Sequence, residues 1–163
     1  MPSDHTTGIT ANRGNLHLQN GNIVKTGEEN YGHLLTGKNI QIEGSQIHMV
    51  SAGTNLIWSS DGDITIADSE IALSASYGAD SRYLIFAEMG SIRVSGESTI
   101  EIVSGDTDDS EDQSLFVATN GIQLDNSLQI TDGAGIHCEI YHGGWQYSVR
   151  YSERQYPAKV SVA

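Results

Sequence analysis

The feature that most constrains this chain is a repeat in which apolar positions recur while the positions between them change. The repeated segments are "GKNIQIEGSQIHMVSA", "DGDITIADSEIALSAS", "MGSIRVSGESTIEIVSG" and "NGIQLDNSLQITDG", which begin at Gly37, Asp61, Met89 and Asn120. Self-similarity at a period of about 20 to 50 residues is the signature of repeat architectures such as solenoids. The chain is therefore expected to stack similar structural units.

Columns of apolar residues define the unit. One column holds Leu16, Ile40, Ile64, Ile92 and Ile122, at steps of 24, 24, 28 and 30 residues, and two residues later Leu18, Ile42, Ile66, Val94 and Leu124 form the next. A further column holds Ile23, Ile47, Ile71, Ile100 and Leu128, partnered by Met49, Leu73, Ile102 and Ile130. Apolar patches such as "HLL", "LIW", "LIF" and "LFV" precede the first column. Three short strands per unit are predicted.

Alternation of apolar and polar residues at period two, in segments rich in Ile and Val, is typical of strands with one buried face. Stacking three such strands per turn gives an all-β fold, a parallel β-helix of about five coils with no α-helix. Residues 1–139 are assigned to the coils. Residues 140–163 leave the repeat, concentrate Tyr and Trp, and are assigned to a carboxy-terminal cap, which solenoids need to end their sheets.

The charge of the chain excludes several partners. Its 163 residues carry 8 Lys and Arg against 21 Asp and Glu, a net charge of −13, so nucleic acid and anionic membrane surfaces are repelled. No apolar stretch approaches the length of about 18 residues that a membrane span needs, so no membrane insertion is predicted. If the protein is exported, its signal is absent from this chain. The single Cys138 excludes an internal disulfide.

A row of polar residues on the outward side of the predicted strands is the candidate carbohydrate-binding site. It contains Gln41, Thr65, Arg93 and Gln123, whose amide, hydroxyl and guanidinium groups at the rung spacing of roughly 4.8 Å suit sugar hydroxyls. Tyr77 and Tyr83, which are assigned to the long loop "SASYGADSRY", are candidates for stacking on sugar rings. Ordinary solvated strand surface is the alternative interpretation of the same residues.

A second long loop, "SGDTDDSEDQS", is the candidate metal site. Its ligands would be Asp106, Asp108, Asp109, Glu111 and Asp112, which supply enough oxygen atoms for a hard cation such as calcium. A solvated acidic turn without an ordered ion is the alternative.

The third strand of each unit is predicted to be apolar on both sides. The row Leu35, Ile57, Ile85 and Phe116 would form a patch of a few hundred square ångströms, the size that marks an interface. Either the carboxy-terminal tail or other copies of the chain, in a homo-oligomer, would cover it. Trp58 and Phe86 are expected to stack in the core.

These repeats also resemble a known family. "GSQIHMVSAGTNLIWSSDGDITIADSEIALSAS" is similar to the rungs of right-handed parallel β-helices of the pectate-lyase-like superfamily, especially β-helical carbohydrate-binding domains of bacterial surface proteins, over about Gly8 to Gly133. The resemblance implies a right-handed coil, binding of acidic or plant-type polysaccharides, and an extracellular or cell-surface location. It also implies calcium held at turns, with Asp61 and Asp63 as ligands.

Three classes of function compete. The leading one is a non-catalytic carbohydrate-binding or adhesin module, which needs a rigid polar face and a few stacking side chains. The second is a structural spike or fibre segment of a phage tail or secretion apparatus, trimeric through the apolar third face. A polysaccharide lyase or hydrolase is disfavoured, although catalysis stays an open question, because its candidate groups are few: Arg82 and Arg93 as bases, Glu70 and Glu101 as carboxylates.

Overall fold

The computed structural model describes residues 8–25, 33–51, 56–75, 83–102, 114–124, 129–132, 138–142, 145–149, 156–157 and 161–162. Within these ranges the chain forms strands and no helix. The strands are β1 (Ile9–Thr10), β2 (Leu16–Gln19), β3 (Asn22–Lys25), β4 (Leu35–Gly37), β5 (Ile40–Glu43), β6 (Gln46–Ser51), β7 (Ile57–Ser59), β8 (Ile64–Ala67), β9 (Glu70–Ala75), β10 (Tyr83–Ala87), β11 (Ser91–Ser95), β12 (Thr99–Ile102), β13 (Ser114–Ala118), β14 (Gly121–Leu124), β15 (Gln129–Asp132), β16 (Cys138–His142), β17 (Trp145–Val149), β18 (Tyr156–Pro157) and β19 (Ser161–Val162). A search of the described residues for an apolar helix of membrane-spanning length finds none.

Each strand up to β13 pairs in parallel with the strand three places later in the chain. The first sheet has the order β1-β4-β7-β10-β13-β16, the second β2-β5-β8-β11-β14, and the third β3-β6-β9-β12-β15. The last three strands pair antiparallel instead, β17 on β16, β18 on β15 and β19 on β14. The chain is thus all-β with three stacked parallel sheets, an arrangement consistent with a parallel β-helix or solenoid.

The repeated Ile columns form the core of these sheets. In the second sheet Ile40, Ile64, Ile92 and Ile122 pair in register, and each is at most 1% exposed. In the third sheet Ile47, Ile71 and Ile100 also pair in register, and each is at most 2% exposed. Burying one such side chain stabilises the fold by about 1.5–3 kcal/mol. The predicted columns are therefore confirmed as interior ladders over these rungs.

The last rung of the third sheet departs from the predicted register. Ile100 pairs with Ile130 and not with Leu128, and Ile102 pairs with Asp132. A slip of two residues keeps every side chain on its own face, because the strand period is two. Alternation in the sequence therefore could not distinguish the two registers.

The first sheet corrects the prediction about the apolar third face. The row predicted to form an interface lies inside the coil, in the same core cluster as the Ile columns, with exposures of 1% or less: Leu35, Ile57, Ile85 and Phe116. The inward positions two residues later hold the small residues Gly37, Ser59, Ala87 and Ala118, all buried. This row is therefore not available as a contact surface for further copies of the chain.

The outward row of the first sheet contains Thr36, Trp58, Phe86 and Val117, which pair in register and are half-buried. The expectation that Trp58 and Phe86 stack in the core is wrong, since both lie on the outer side. The Trp58 ring centre is 4.3 Å from that of His33, and its Nε1–H donates to Glu88 Oε2 at 3.2 Å. Trp58 and Phe86 are thus apolar residues of a partly covered outer surface.

At the corner between the second and third sheets, one residue of each rung has the left-handed backbone conformation. Asn20, Gly44, Asp68 and Gly96 occupy equivalent positions with φ between 47° and 67°. Asn, Asp and Gly tolerate this conformation best, which explains why those residue types recur there.

A ladder of buried serines follows this corner. The backbone N–H groups of Gly21, Ser45 and Ser69 donate to the hydroxyl of the next rung, Ser45, Ser69 and Ser98 respectively, at 3.1–3.3 Å. The Ser45 and Ser69 hydroxyls in turn donate to the carbonyls of Glu43 and Ala67. These buried polar groups are thus satisfied, as buried polar groups must be.

Candidate binding groove

The outward face of the second sheet carries an aligned row of polar side chains. His17, Gln41, Thr65, Arg93 and Gln123 pair in register from β2 to β14. All are exposed except Thr65, which is half-buried. At a strand spacing of about 4.8 Å, the row is about 19 Å long. The four residues predicted from the sequence for sugar binding are therefore neighbours along one straight line.

A groove with a volume of about 370 Å³ lies over the later part of this row. Its lining comes from β8, β11, β14 and the corners before them: Asp63, Thr65, Ser91, Ile92, Arg93, Asn120, Gly121, Ile122 and Gln123. Thr65, Arg93 and Gln123 lie in the groove, and Gln41 continues the row on the adjacent rung.

The shape of the groove follows from the column just before the first Ile column. Successive rungs place Asn39, Asp63, Ser91 and Gly121 there. Asn39 and Asp63 have side chains of equal length, Ser91 has a shorter one, and Gly121 has none. The small residues of this column lie where Ser91 and Gly121 line the groove. This part of the site was not predicted from the sequence, although each residue of the column directly precedes a member of the first Ile column.

Hydrogen bonds between rungs fix the polar edge of the groove. Asn39 Nδ2 donates to Asn15 Oδ1, and the Asp63 N–H donates to Asn39 Oδ1, both at 2.9 Å. The Ser91 N–H donates to Asp63 Oδ1 at 2.8 Å. At the end of the groove near β14, the side-chain Nδ2 of Asn120 donates to the Met89 carbonyl oxygen at 2.8 Å. The edge is therefore preorganised rather than mobile, which lowers the entropic cost of binding.

Arg93 is the cation of the groove. The ion pairs found in the described part of the chain join His17 to Glu43 at 3.8 Å and Lys38 to Asp61 at 3.3 Å, and Arg93 belongs to neither. Its neighbours on the adjacent rungs, Thr65 and Gln123, are uncharged. The exposed Arg93 side chain lines the groove, so its guanidinium is accessible to a ligand.

The residues considered for catalysis lie on two sheets. Glu70 and Glu101 are exposed on the neighbouring strands β9 and β12 of the third sheet, in adjacent outward columns, whereas Arg93 lies on the second sheet. Glu70 Oε2 accepts a hydrogen bond from Gln46 Nε2 at 3.3 Å. Asp63 is the carboxylate among the groove's lining residues, and one of its oxygens is already engaged by Ser91. Arg82 lies outside the described residues.

The predicted metal and stacking residues fall largely outside the described residues. Asp106, Asp108, Asp109, Glu111 and Asp112 are not described, and neither is Tyr77, so calcium binding stays a prediction. Tyr83 begins β10 of the first sheet and does not belong to the strands of the groove.

The turn aspartates Asp61 and Asp63 contact protein groups, and calcium binding by them stays a prediction. Across the described ranges no three His, Cys, Asp or Glu side chains form a group suited to a metal ion. Asp61 instead pairs with Lys38, and Asp63 accepts the Ser91 N–H.

Comparison with known protein families, with curated proteins and with solved structures finds no match for this chain.

Proposed function

We propose that this protein is a non-catalytic carbohydrate-binding module of the adhesin type, which holds an extended polysaccharide along the second sheet. The observation that carries the proposal is the in-register row Gln41, Thr65, Arg93 and Gln123, solvent-accessible and running into the groove. A sugar chain presents hydroxyl groups at regular intervals, and this row presents donors and acceptors at regular intervals on a rigid sheet. The match in periodicity favours a polymer over a compact small molecule.

The finer description of the fold belongs to the same proposal. We propose a right-handed coil of about five three-stranded turns, of the pectate-lyase-like superfamily, formed by residues 1–139. Right-handed crossovers between parallel strands are the rule, which supports the handedness. Residues 140–163 would form the cap, and the antiparallel pairing of β17, β18 and β19 supports this assignment because it ends the parallel order of each sheet.

The proposed setting is extracellular or cell-surface, where long polysaccharides are accessible. The net charge of −13 supports a glycan partner over nucleic acid or an anionic membrane surface. No cofactor is required for binding of this kind.

The test is binding of the purified chain to a glycan array, followed by an Arg93→Ala, Gln123→Ala double variant. Affinity for the bound glycan is expected to fall by at least about tenfold, since a hydrogen bond to a charged group contributes about 1.5–3 kcal/mol. The matched control is a His48→Ala, Glu101→Ala double variant, which removes two exposed outward side chains of the third sheet. Its affinity should equal that of the wild type.

Equal loss of binding in both double variants would contradict the assignment of the second sheet. No binding to any glycan, together with a trimeric mass in solution, would favour the second candidate, a spike or fibre segment. One observation favours this second candidate: Trp58 and Val117, on the outward side of the first sheet, are apolar and only half-buried.

We further propose that the acidic loop at residues 106–112 binds calcium. Calcium in millimolar excess should then raise the melting temperature, because a ligand that binds only the folded state stabilises it by mass action. The rise should disappear in an Asp108→Ala, Asp109→Ala double variant, measured by thermal melting with calcium and with a chelator. Identical melting curves for the wild type in both conditions would leave the loop as a solvated acidic turn.

A further inference from the structure

We infer that the polysaccharide held in this groove is sparsely charged, with one anionic group at Arg93 and neutral sugars on both sides of it. The ligand would be a heteropolysaccharide with an acidic sugar at intervals, and not a polymer charged on every unit. The inference rests on the proposed function and adds the chemical class of the ligand. It depends on how charge is distributed along the polar row.

The anionic group is inferred from Arg93. Its guanidinium is exposed, lines the groove, and forms none of the ion pairs found in the described part of the chain. A guanidinium offers two parallel N–H donors that match the geometry of a carboxylate, sulfate or phosphate, and such bonds are roughly twice as strong as neutral ones. One charged group of the ligand is therefore expected to lie over β11.

The neutral neighbours are inferred from the rungs on either side of Arg93. Thr65 and Gln41 precede it in the row and Gln123 follows it. Hydroxyl and amide groups can donate to and accept from sugar hydroxyls, but they do not neutralise an ionised group. A bound chain with an anion at each sugar would therefore leave its other charges without a cationic partner in this row.

Two carboxylates on the same face make a fully charged polymer unfavourable. Asp63 is exposed in the groove, and Glu43, on the outward side of β5, is already contacted by Gln19 at 3.5 Å and by His17 at 3.8 Å. An anionic group of a ligand placed beside either carboxylate would be repelled by it. The overall charge of −13 adds a long-range repulsion of any polyanion. One cationic position on a face that also carries two carboxylates favours a sparsely charged ligand.

The experiment compares three sets of probes on one array: neutral glucans, heteropolysaccharides with a single uronate in each tetrasaccharide repeat, and polygalacturonate. Each charged polymer is printed beside its carboxyl-reduced counterpart, which keeps the backbone and removes the charge. The wild type should bind the sparsely charged polymers at least about tenfold more tightly than their reduced forms or polygalacturonate. Added salt should weaken this preference.

The variant Arg93→Gln should bind native and reduced polymers equally, whereas Arg93→Lys should retain part of the preference. The matched control, Arg13→Gln, removes the same charge from an exposed turn outside the groove and should behave as the wild type. Tightest binding to neutral glucans or to polygalacturonate, or a preference that survives Arg93→Gln, would overturn the inference and leave the proposed function standing. Absence of binding to every polymer would overturn the proposed function as well.

Discussion

Ile66→Asp is expected to abolish folding of this chain. Ile66 lies on β8, the central strand of the second sheet, is fully buried, and pairs with Ile42 and Val94 in one interior column. An aspartate there would leave a charge or an unpaired carboxyl in a dry core, at a cost of several kcal/mol in addition to the lost apolar burial. A domain is typically stable by only about 5–15 kcal/mol in total. Circular dichroism should show no cooperative melting transition.

The same result is expected for Ile71→Asp, which places the charge in the third sheet, where Ile71 is also fully buried. The control is Thr65→Asp, one residue before Ile66 and on the outward face of the same strand. It should melt cooperatively near the temperature of the wild type. Cooperative melting of both Ile variants at that temperature would refute the register of the interior columns.

Gly90→Ala is expected to lower stability by about 3 kcal/mol, the upper part of the range for overpacked cores. Gly90 is buried at the corner before β11, and a Cβ there would overlap the carbonyl carbon and oxygen of Gly62 on the preceding rung and lie 2.8 Å from the Asp63 nitrogen. All three atoms belong to the backbone, so no side-chain rotation relieves the overlap. For a chain of this size the melting temperature should fall by about 6–12 °C.

Gly14→Ala is the matched control for this substitution. A Cβ at Gly14 meets no atom within 4 Å, so the same chemical change should leave the melting temperature nearly unaltered. If both variants melt at the same temperature as the wild type, then the rungs at the Gly90 corner are further apart than the structure shows. The comparison isolates the close approach of the two rungs from the general effect of replacing glycine.

The all-β fold and most of its core were predictable from the sequence because the interior of a stacked coil must repeat. Ile40, Ile64 and Ile92 occupy the same environment on successive rungs, so the sequence keeps the same residue there. Gly44 and Asp68 likewise recur at a left-handed corner. An environment that recurs on each rung favours the same residue type on each rung, and this recurrence can be recognised within a single sequence.

The features that were not predicted depend on properties that alternation does not encode. In the first sheet both sides of the strands are apolar, so the pattern could not tell the inward Ile57 from the outward Trp58. The four predicted polar side chains were found in one line, three of them in the groove, but their role in binding stays a prediction. Ser91 and Gly121 also line the groove, and a small side chain is not a feature that alternation marks.

Hydrogen bonds between rungs join residues that are one repeat length apart in the sequence. Asn39 with Asn15, Ser45 with Gly21, and Ser69 with Ser45 are each joined across 24 residues. Deleting or duplicating one such length would bring equivalent positions together again, so the core would close in the same way. Each added rung would also add one side chain to the polar row. Under the proposed function, duplication within the gene could therefore lengthen the bound stretch of polysaccharide while leaving the packing of every existing rung unchanged.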